Sequence, residues 1–183
     1  MRISGGVLAG RLIDCPPGII RPSMDRMRES VFGCLAAGVF AETPGGLEGS
    51  SFLDLFSGSG VIALEAASRG ALVIDAVESD PLKRKTLLTN ASLSPVRINC
   101  RFISAELYIK RSKKSFNYIF CDPPFPYRYK NALLSSIALS PLMDETTVLM
   151  IHLPRREKIE TGELNAFDIR CYGNSAVGFL RKQ

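Results

Sequence analysis

The sequence contains a single histidine, and its five cysteines form no Cys-x-x-Cys pair. Structural zinc takes four cysteine or histidine ligands at close spacings, so no metal site is expected. No apolar run reaches about 18 residues, so no membrane-spanning helix is predicted. The cysteines are scattered and odd in number, and no signal peptide is evident, which favours a reducing, cytoplasmic setting.

Positive charge exceeds negative charge and is unevenly spread. The 183 residues carry a net charge of +5 at pH 7, and the isoelectric point is about 9.1. Between Pro81 and Lys114, nine lysines and arginines stand against one acid, Glu106. This window permits an acidic partner such as RNA, although a solvated helix face is the simpler interpretation.

The length fits one domain with a small appendage, and 46% hydrophobic residues indicate a globular chain. Residues 1–14 predict a short, bent β-hairpin, and Ser23 is placed to cap a helix over 24–38. A linker at Thr43-Pro44-Gly45-Gly46 marks a boundary. We therefore expect an N-terminal arm, 1–43, and a second domain, 44–183.

Beyond the linker, apolar strands alternate with helices, which predicts a parallel sheet covered on both faces. Gly173-Asn174 is typical of a hairpin turn, so the last strand should be antiparallel. The expected fold is α/β and Rossmann-like, with a mainly parallel seven-stranded sheet. The predicted strands are 51–56, 72–78, 97–103, 116–121, 146–152, 166–172 and 175–181. The predicted helices are 60–69, 81–92, 105–111 and 128–139.

A glycine-rich turn joins the first predicted strand to a helix. Gly58 and Gly60 allow a sharp turn and close approach of a ligand to the backbone. The helix N-terminus offers unpaired N–H groups at the same place. Glu78 ends the next strand, where its carboxylate can accept hydrogen bonds from ribose hydroxyls. Both a dinucleotide and S-adenosylmethionine fit this arrangement.

Asp54 favours S-adenosylmethionine over a dinucleotide. The run Gly58-Ser-Gly-Val-Ile-Ala63 satisfies the dinucleotide pattern formally, but such a match is weak. The carboxylate of Asp54 can face the methionine ammonium, whereas it would repel a pyrophosphate. Ser104 and Ala105, after the third strand, are candidate contacts to the adenine. Asp54 could instead be a buried cap on the loop, and Glu78 a solvated strand end.

Asp122-Pro123-Pro124-Phe125 follows the apolar strand 118–121 and is the most informative stretch of the chain. Such a ledge at a strand's carboxyl end lies where open α/β sheets bind ligands. Asp122 and a proline carbonyl can accept the two hydrogens of an exocyclic amine, and Phe125 can stack on the base. The alternative is a Pro-Pro turn with a core phenylalanine. His152 is expected to be a core residue, and Glu65 to pair with a cation.

Together these motifs resemble class I S-adenosylmethionine-dependent methyltransferases with a D-P-P-[FY] motif, and within them the RsmD family of small-subunit ribosomal RNA guanine-N2 methyltransferases. The N-terminal pattern is the specific part. The chain differs from the family at Ser104, where asparagine or aspartate is usual. The resemblance is carried by Arg2-Ile-Ser-Gly-Gly6, Gly10-Arg11, Arg21-Pro-Ser23, Phe52–Gly60, Leu64–Gly70, Val77–Asp80 and Asp122–Phe125.

The resemblance implies S-adenosylmethionine as methyl donor and a guanine of 16S rRNA, in the small subunit or its assembly intermediate, as acceptor. Asp122, Pro123 and Phe125 would be catalytic. The donor would be bound by Asp54, Phe56, Gly58, Gly60, Glu78, Ser104 and Ala105. Apart from the resemblance, the arginines of the arm suit phosphate groups, and the sheet needs no such hairpin, so the arm is predicted to contact RNA through Arg2, Arg11, Arg21, Arg26 and Arg28. The alternative is that the arm only covers an edge of the core.

We expect a monomer with no metal. Three other functions stay open: an adenine-N6 DNA methyltransferase, an NAD-type oxidoreductase and a non-catalytic RNA-binding assembly factor. The first usually carries a separate target-recognition domain, for which the sequence offers no room. Asp54 and the proline ledge argue against the second. The intact Asp122–Phe125 motif argues against the third.

Overall fold

Seven strands form a single sheet in the computed structural model, which describes residues 1–15, 22–38 and 46–183. The strands are β1 Ser51–Leu55, β2 Val73–Val77, β3 Ile98–Arg101, β4 Tyr118–Cys121, β5 Val148–Pro154, β6 Leu164–Tyr172 and β7 Ser175–Lys182. The helices are α1 Pro22–Ala36, α2 Val61–Ser68, α3 Arg84–Ala91, α4 Ala105–Arg111 and α5 Lys130–Ala138. The expected linker residues 43–45 lie outside the described residues, as does Arg21.

The strand order is β3-β2-β1-β4-β5-β7-β6. The first five strands are parallel, whereas β7 runs antiparallel to both β5 and β6. β6 and β7 form the expected hairpin, with Gly173 in the left-handed region at φ 59°. The predicted Rossmann-like fold with an antiparallel terminal strand is confirmed.

Helices on both faces explain why the central strands are buried along nearly their whole length. All four residues of β4 are buried, as are the last four of β1. Phe52 and Phe120 belong to a core that also takes in α1 and α2, and Leu53 and Ile119 to a second core beneath α4 and α5. Alternate side chains of one strand therefore enter different cores, as the period of two requires.

The N-terminal arm is more irregular than the predicted hairpin. Only Arg2 and Leu12 form a β-bridge, and the chain between them contains a 3₁₀ turn at Gly6–Leu8. Gly6 has φ +75° and lies against α2, so a Cβ there would come within 1.8 Å of the carbonyl oxygen of Ser68. The arm therefore follows an irregular path that fits around α2, and it does not form regular strand pairs.

The arm shares its core with the sheet. Ile3 and Ile13 from the arm, and Phe32 from α1, pack in the same buried cluster as Phe52 of β1. The N–H of Ser4 donates to the Glu65 carboxylate at 2.7 Å, which links the arm directly to α2. The arm is thus packed as part of one folded unit.

The order of strands reverses between β1 and β4, because β1 connects outward to β2 while β4 connects outward to β5. The carboxyl ends of these strands form the crevice in which open α/β sheets bind ligands. In the described part of the chain, no helix has the length and apolar character needed to cross a bilayer.

Candidate active site

A cleft of about 750 Å³ opens at the carboxyl ends of the central strands. It brings together the glycine loop, the end of β2, the start of α4 and the Asp-Pro-Pro-Phe ledge, which are separated by up to about 70 residues in sequence. The turn between β6 and β7 closes one side. The residues of interest that line the cleft are Phe56, Gly58, Glu78, Ser104, Ala105, Asp122, Pro123, Phe125, Tyr127 and His152.

The glycine loop has the tight conformation that its sequence predicts. Gly58 and Gly60 have φ values of 56° and 79°, in the region that favours glycine. Phe56 also has a positive φ, 67°, which is uncommon for a side chain of this size. Strained residues of this kind cluster at ligand sites. The loop therefore presents its backbone to the cleft at a conformational cost that packing must offset.

Glu78 holds the glycine loop in place while facing the cleft. One carboxylate oxygen accepts the N–H of Gly58 at 2.8 Å, and the other accepts the N–H of Asp80 at 2.8 Å. The Lys83 ammonium lies 3.7 Å away. A carboxylate has about four lone-pair positions, so capacity for further donors remains. Glu78 is therefore a buried acceptor in the cleft wall, and the alternative of a solvated strand end is wrong.

Asp54 lies beneath the cleft. Its carboxylate accepts the N–H of Ala63 at 3.2 Å and is 1% exposed. Burial raises the pKa of this carboxyl well above its usual range, and the negative charges of Asp122 and Glu78 raise it further. Asp54 lines a smaller cavity of about 120 Å³ that shares several lining residues with the main cleft. It both caps the start of α2 and borders a small cavity next to the main cleft.

Ser104 and Ala105 border the cleft at the start of α4. The Ser104 hydroxyl accepts the N–H of Leu107 at 3.2 Å and so caps the helix. Both of the residues expected to contact the adenine are thus in the cleft wall. The Ser104 side chain already has a structural role as an N-cap.

Tyr127 also lines the cleft, but sequence reasoning did not identify it as a site residue. Its ring packs edge-on against Phe56 with centroids 5.7 Å apart, and its hydroxyl donates to Glu106. Burial tends to raise the pKa of the Glu106 carboxyl, but hydrogen bonds with Tyr127, with its own backbone and with Ser104 together outweigh burial and lower the pKa. This contact joins the loop after β4 to α4. Nothing local in the sequence distinguishes Tyr127 from a surface aromatic.

The ledge after β4 has the acceptor groups expected of it. Asp122 is partly exposed in the cleft. The Pro123 carbonyl makes no hydrogen bond to any other residue that the structure describes, whereas the Pro124 carbonyl accepts the N–H of Tyr127 at 2.8 Å. Phe125 is partly exposed and lines the cleft. The ledge thus offers one carboxylate, one free carbonyl and one aromatic face.

His152 is bonded to this ledge and is not simply a core residue. Its Nδ1 lies 2.9 Å from Oδ1 of Asp122, and its ring packs edge-on against Phe125 at 5.5 Å. An ionised carboxylate can only accept, so Nδ1 is then the donor. The side chain is buried, and its Nε2 has no partner among the described residues. The expectation of a core residue holds for its burial, but the ring is not fully hydrogen-bonded and it contacts the ledge.

Sheet register explains the pairing of Asp122 with His152. Cys121 at the end of β4 lies beside Ile151 of β5 in parallel register. Asp122 follows Cys121 and His152 follows Ile151, so these two residues lie side by side at the mouth of the cleft. The only histidine of the sequence, one strand away from Asp122, was the available signal, but its use required the register of β4 and β5 to be known.

Lys130, at the start of α5, secures the ledge from behind. Its buried ammonium donates to the carbonyls of Phe125 and Tyr127 at 2.8 and 2.9 Å. It also forms an ion pair with Glu157 at 2.8 Å. All three ammonium hydrogens are thus used. The loop that follows β4 and the loop that follows β5 are held together through this one side chain.

Among the arginines proposed as RNA contacts, the four that the structure describes do not share one environment. Arg2, Arg11 and Arg26 are exposed. Arg28 is buried and donates to the Glu65 carboxylate at 2.7 Å and to the carbonyl of Arg2 at 2.7 Å. Arg28 is therefore committed to the internal structure, and we leave it out of the proposed RNA contacts.

Glu65 pairs with cations, as expected from the sequence. It is fully buried and bonds both Arg28 and Arg69. This network ties α1 and the arm to α2. Within the described ranges, no group of histidine, cysteine and carboxylate side chains could hold a metal ion.

The strand order, the glycine loop and the ledge define the fold of the class I methyltransferases. The structure of "Putative methyltransferase yhhF" from Escherichia coli superimposes with a TM-score of 0.84 over 100% of this chain and 98% of that chain. The sequence identity is 24%, so this likeness concerns the fold alone.

The family described as "Conserved hypothetical protein 95" matches residues 1–181. The chain belongs to this family, and the resemblance to the RsmD family seen in the sequence motifs is confirmed.

Two relatives give the level of similarity within the family. "Ribosomal RNA small subunit methyltransferase D" of Escherichia coli strain K12 is 34% identical over 128 residues, which span 68% of this chain and 60% of that protein. "Putative rRNA methyltransferase YlbH" of Bacillus subtilis is 28% identical over 191 residues, covering both chains completely.

Proposed function

We propose that this protein transfers a methyl group from S-adenosylmethionine to the exocyclic N2 of a guanine in 16S ribosomal RNA of the small subunit. One observation carries the proposal: a single cleft joins the Glu78–glycine loop wall to the Asp122–Phe125 ledge. Family membership and the names of the relatives support the same reaction and direct it to small-subunit RNA.

The donor would occupy the side of the cleft formed by β1, β2 and α4. Glu78 would accept the ribose hydroxyls with its remaining lone pairs, and the N–H groups of the glycine loop would face the donor. Ser104 and Ala105 would contact the adenine. The methionine end would extend toward the smaller cavity, where the Asp54 carboxylate would face its ammonium.

The acceptor would sit on the ledge. The lone pair of the amine nitrogen attacks the methyl carbon in line with the carbon–sulfur bond, which breaks so that the sulfonium becomes a neutral thioether. The nitrogen becomes positively charged and then loses a proton to water. The enzyme must align the two reactants, and this alignment is its main contribution.

The ledge would assist the amine in two ways. A guanine N2 is conjugated with its ring and is a poor nucleophile, so hydrogen bonds from its hydrogens to Asp122 and to the Pro123 carbonyl favour pyramidal geometry. The same acceptors stabilise the positive charge that develops on nitrogen. Phe125 would stack on the base and hold it out of its helix or loop, with stacking worth about 1–3 kcal/mol per base.

The ledge geometry by itself suits any exocyclic amine, so adenine N6 is the natural second acceptor. The two possibilities differ in the product. Incubation of the protein with unmodified small subunits and labelled S-adenosylmethionine, followed by mapping of the methylated nucleotide, tests the proposal. Label at guanine N2 in 16S rRNA is the expected result, whereas label at adenine or no label on the RNA would contradict it.

Asp122→Ala tests the role of the ledge in the same assay. Turnover should be nearly abolished while donor affinity, measured by calorimetry, stays within a few-fold, because Asp122 would act mainly on the acceptor. Phe125→Ala should reduce turnover, and Phe125→Tyr should be tolerated because it keeps the ring. Near-normal methylation by Asp122→Ala would count against the ledge mechanism.

A further inference from the structure

Lys130 ties the loop after β5 to the ledge and, through its ion pair with Glu157, takes up the negative charge that stands between the basic residues of that loop. Glu160, two residues after Lys158, stays exposed. The segment Arg155–Lys158 contains three cations and one acid, Glu157. Because the Glu157 carboxylate pairs with the buried Lys130, its charge is taken up inside the protein. The three cations of the segment are left facing outward without that acid as a partner.

Four basic side chains are exposed here, and we call them the acceptor rim: Arg128, Arg155, Arg156 and Lys158. None of the four forms an ion pair with another residue in the described part of the chain. Arg128 comes from the loop after β4, and the other three come from the loop after β5. Four like charges in two neighbouring loops repel one another, and a polyanion would relieve that repulsion.

The acceptor rim adjoins the acceptor side of the cleft. In sequence, Arg128 directly follows Tyr127, which lines the cleft, and comes two residues before Lys130, which binds the ledge. The N–H of Arg155 donates at 2.9 Å to the carbonyl of Asn174, another residue of the cleft wall. The rim therefore belongs to the β4–β5 side of the site, away from the side proposed for the donor.

We propose that the acceptor rim binds the RNA phosphates that flank the target nucleotide. Three of its members are close neighbours in sequence, and two of these are arginines, whose planar forks donate two hydrogen bonds to a phosphate. Single-stranded RNA places phosphates on both sides of a base that is turned out of its stack. The inference rests on the proposed function, because it assumes that the base on the ledge belongs to an RNA chain.

The test compares two double variants that each remove two exposed arginines. Arg155→Gln with Arg156→Gln alters the rim, and Arg97→Gln with Arg101→Gln alters two exposed arginines at β3, an edge strand of the sheet. Binding to unmodified small subunits is measured across a salt series, methylation gives KM and kcat, and calorimetry gives donor affinity. Circular dichroism checks that both variants are folded.

The rim variant should raise the KM for subunits by roughly tenfold and flatten the slope of log affinity against log salt by about 1.4, since each single-strand phosphate contact contributes about 0.7. Its donor affinity should match that of the wild type. The β3 variant should differ little. Equal losses in both variants would show that net charge alone matters and would overturn the inference.

Failure of the inference and failure of the proposed function are separable. If the wild type methylates subunits and the rim variant matches it in KM and salt slope, the inference is wrong and the function stands. If the wild type binds subunits but methylates nothing, the function is wrong. The salt slopes of the variants then still decide whether the rim contacts RNA.

Discussion

The hydrogen bond from His152 sets the orientation of the Asp122 carboxylate. A partly exposed carboxylate can rotate, and each rotation moves its acceptor lone pairs away from the amine. The buried imidazole occupies Oδ1 at 2.9 Å and is itself confined by Phe125. Oδ2 would then be left for the proposed acceptor amine. We regard His152 as a positioning residue that acts through Asp122.

His152→Ala should lower kcat for methylation by roughly tenfold, because one hydrogen bond that orients the carboxylate is lost. The KM for S-adenosylmethionine should change little, since His152 lies on the acceptor side. His152→Asn can place an amide donor near the former Nδ1 position and should recover much of the rate. Full activity in His152→Ala would remove the residue from this role.

Asp54, which we propose as a donor-binding group, opposes stability when it is ionised. Its folded-state pKa is raised by burial, so the folded protein holds the proton more tightly than the unfolded chain does. The contribution to stability is therefore fully present below the unfolded-state pKa and is lost as the pH rises through the folded-state value. A bound donor ammonium would favour the ionised form and offset part of this loss.

At about pH 3, Asp54→Asn should leave the free energy of unfolding unchanged. As the pH rises toward neutrality, the variant should become more stable than the wild type, because the amide carries no ionisation penalty. The amide oxygen can still accept the N–H of Ala63. Donor affinity should fall. Urea unfolding at several pH values and calorimetry measure the two effects. A stability difference that shrinks with rising pH would contradict the assignment.

At the scale of elements, hydrogen bonds to the backbone of the N-terminal arm fix it to α2. Two arginines of the arm keep their side chains exposed to solvent. The N–H of Leu8 donates to the Ser68 hydroxyl at 2.8 Å, and that hydroxyl donates to the carbonyl of Gly5 at 2.6 Å. Arg2 and Arg11 are exposed beside each other in hydrogen-bonded segments of the arm. A rigidly held pair of cations suits a phosphate better than a mobile pair does.

Arg2→Ala combined with Arg11→Ala should weaken binding to small subunits and flatten its salt dependence, because fewer counterions are released. Donor affinity should stay unchanged. Arg2 also donates to the carbonyl of Gly10 at 2.8 Å, so the melting temperature of the variant must be compared with that of the wild type.

Normal methylation by this double variant across the salt series would mean that the arm only packs against the core. The rim variant provides the contrast, because its two arginines lie in the loop after β5 and not in the arm. If both regions contact RNA independently, the effects of the two double variants on the salt slope should add.

At the scale of the whole molecule, the regular elements were predictable because a parallel sheet imposes continuous apolar runs between helices. The strand predicted at 51–56 is observed at Ser51–Leu55, and the helix predicted at 60–69 is observed at Val61–Ser68. The cleft was predictable for the same reason, because motifs that follow parallel strands meet at one edge of the sheet.

Long-range pairing explains what the sequence could not reveal. Arg28 looks like any other arginine of the arm, but its partner Glu65 lies 37 residues further along. The contact between Asp122 and His152 depends on the register of β4 and β5. The arm lost its predicted hairpin geometry because Gly6 must fit against Ser68. Each case requires the assembled core.

The buried Glu65 network should make the arm and the sheet unfold together. Glu65→Gln keeps an acceptor for Arg28 and Ser4 but places an amide against Arg69, and breaking a buried ion pair costs roughly 3 kcal/mol or more. Urea unfolding should show that loss in one transition, and native-state hydrogen exchange should show α1 and β1 opening with similar free energies.

Glu145→Gln, an exposed glutamate outside any described ion pair, is the matched control and should be neutral. Exchange of α1 at a much lower free energy than β1 in the wild type would instead make the arm a separate unit.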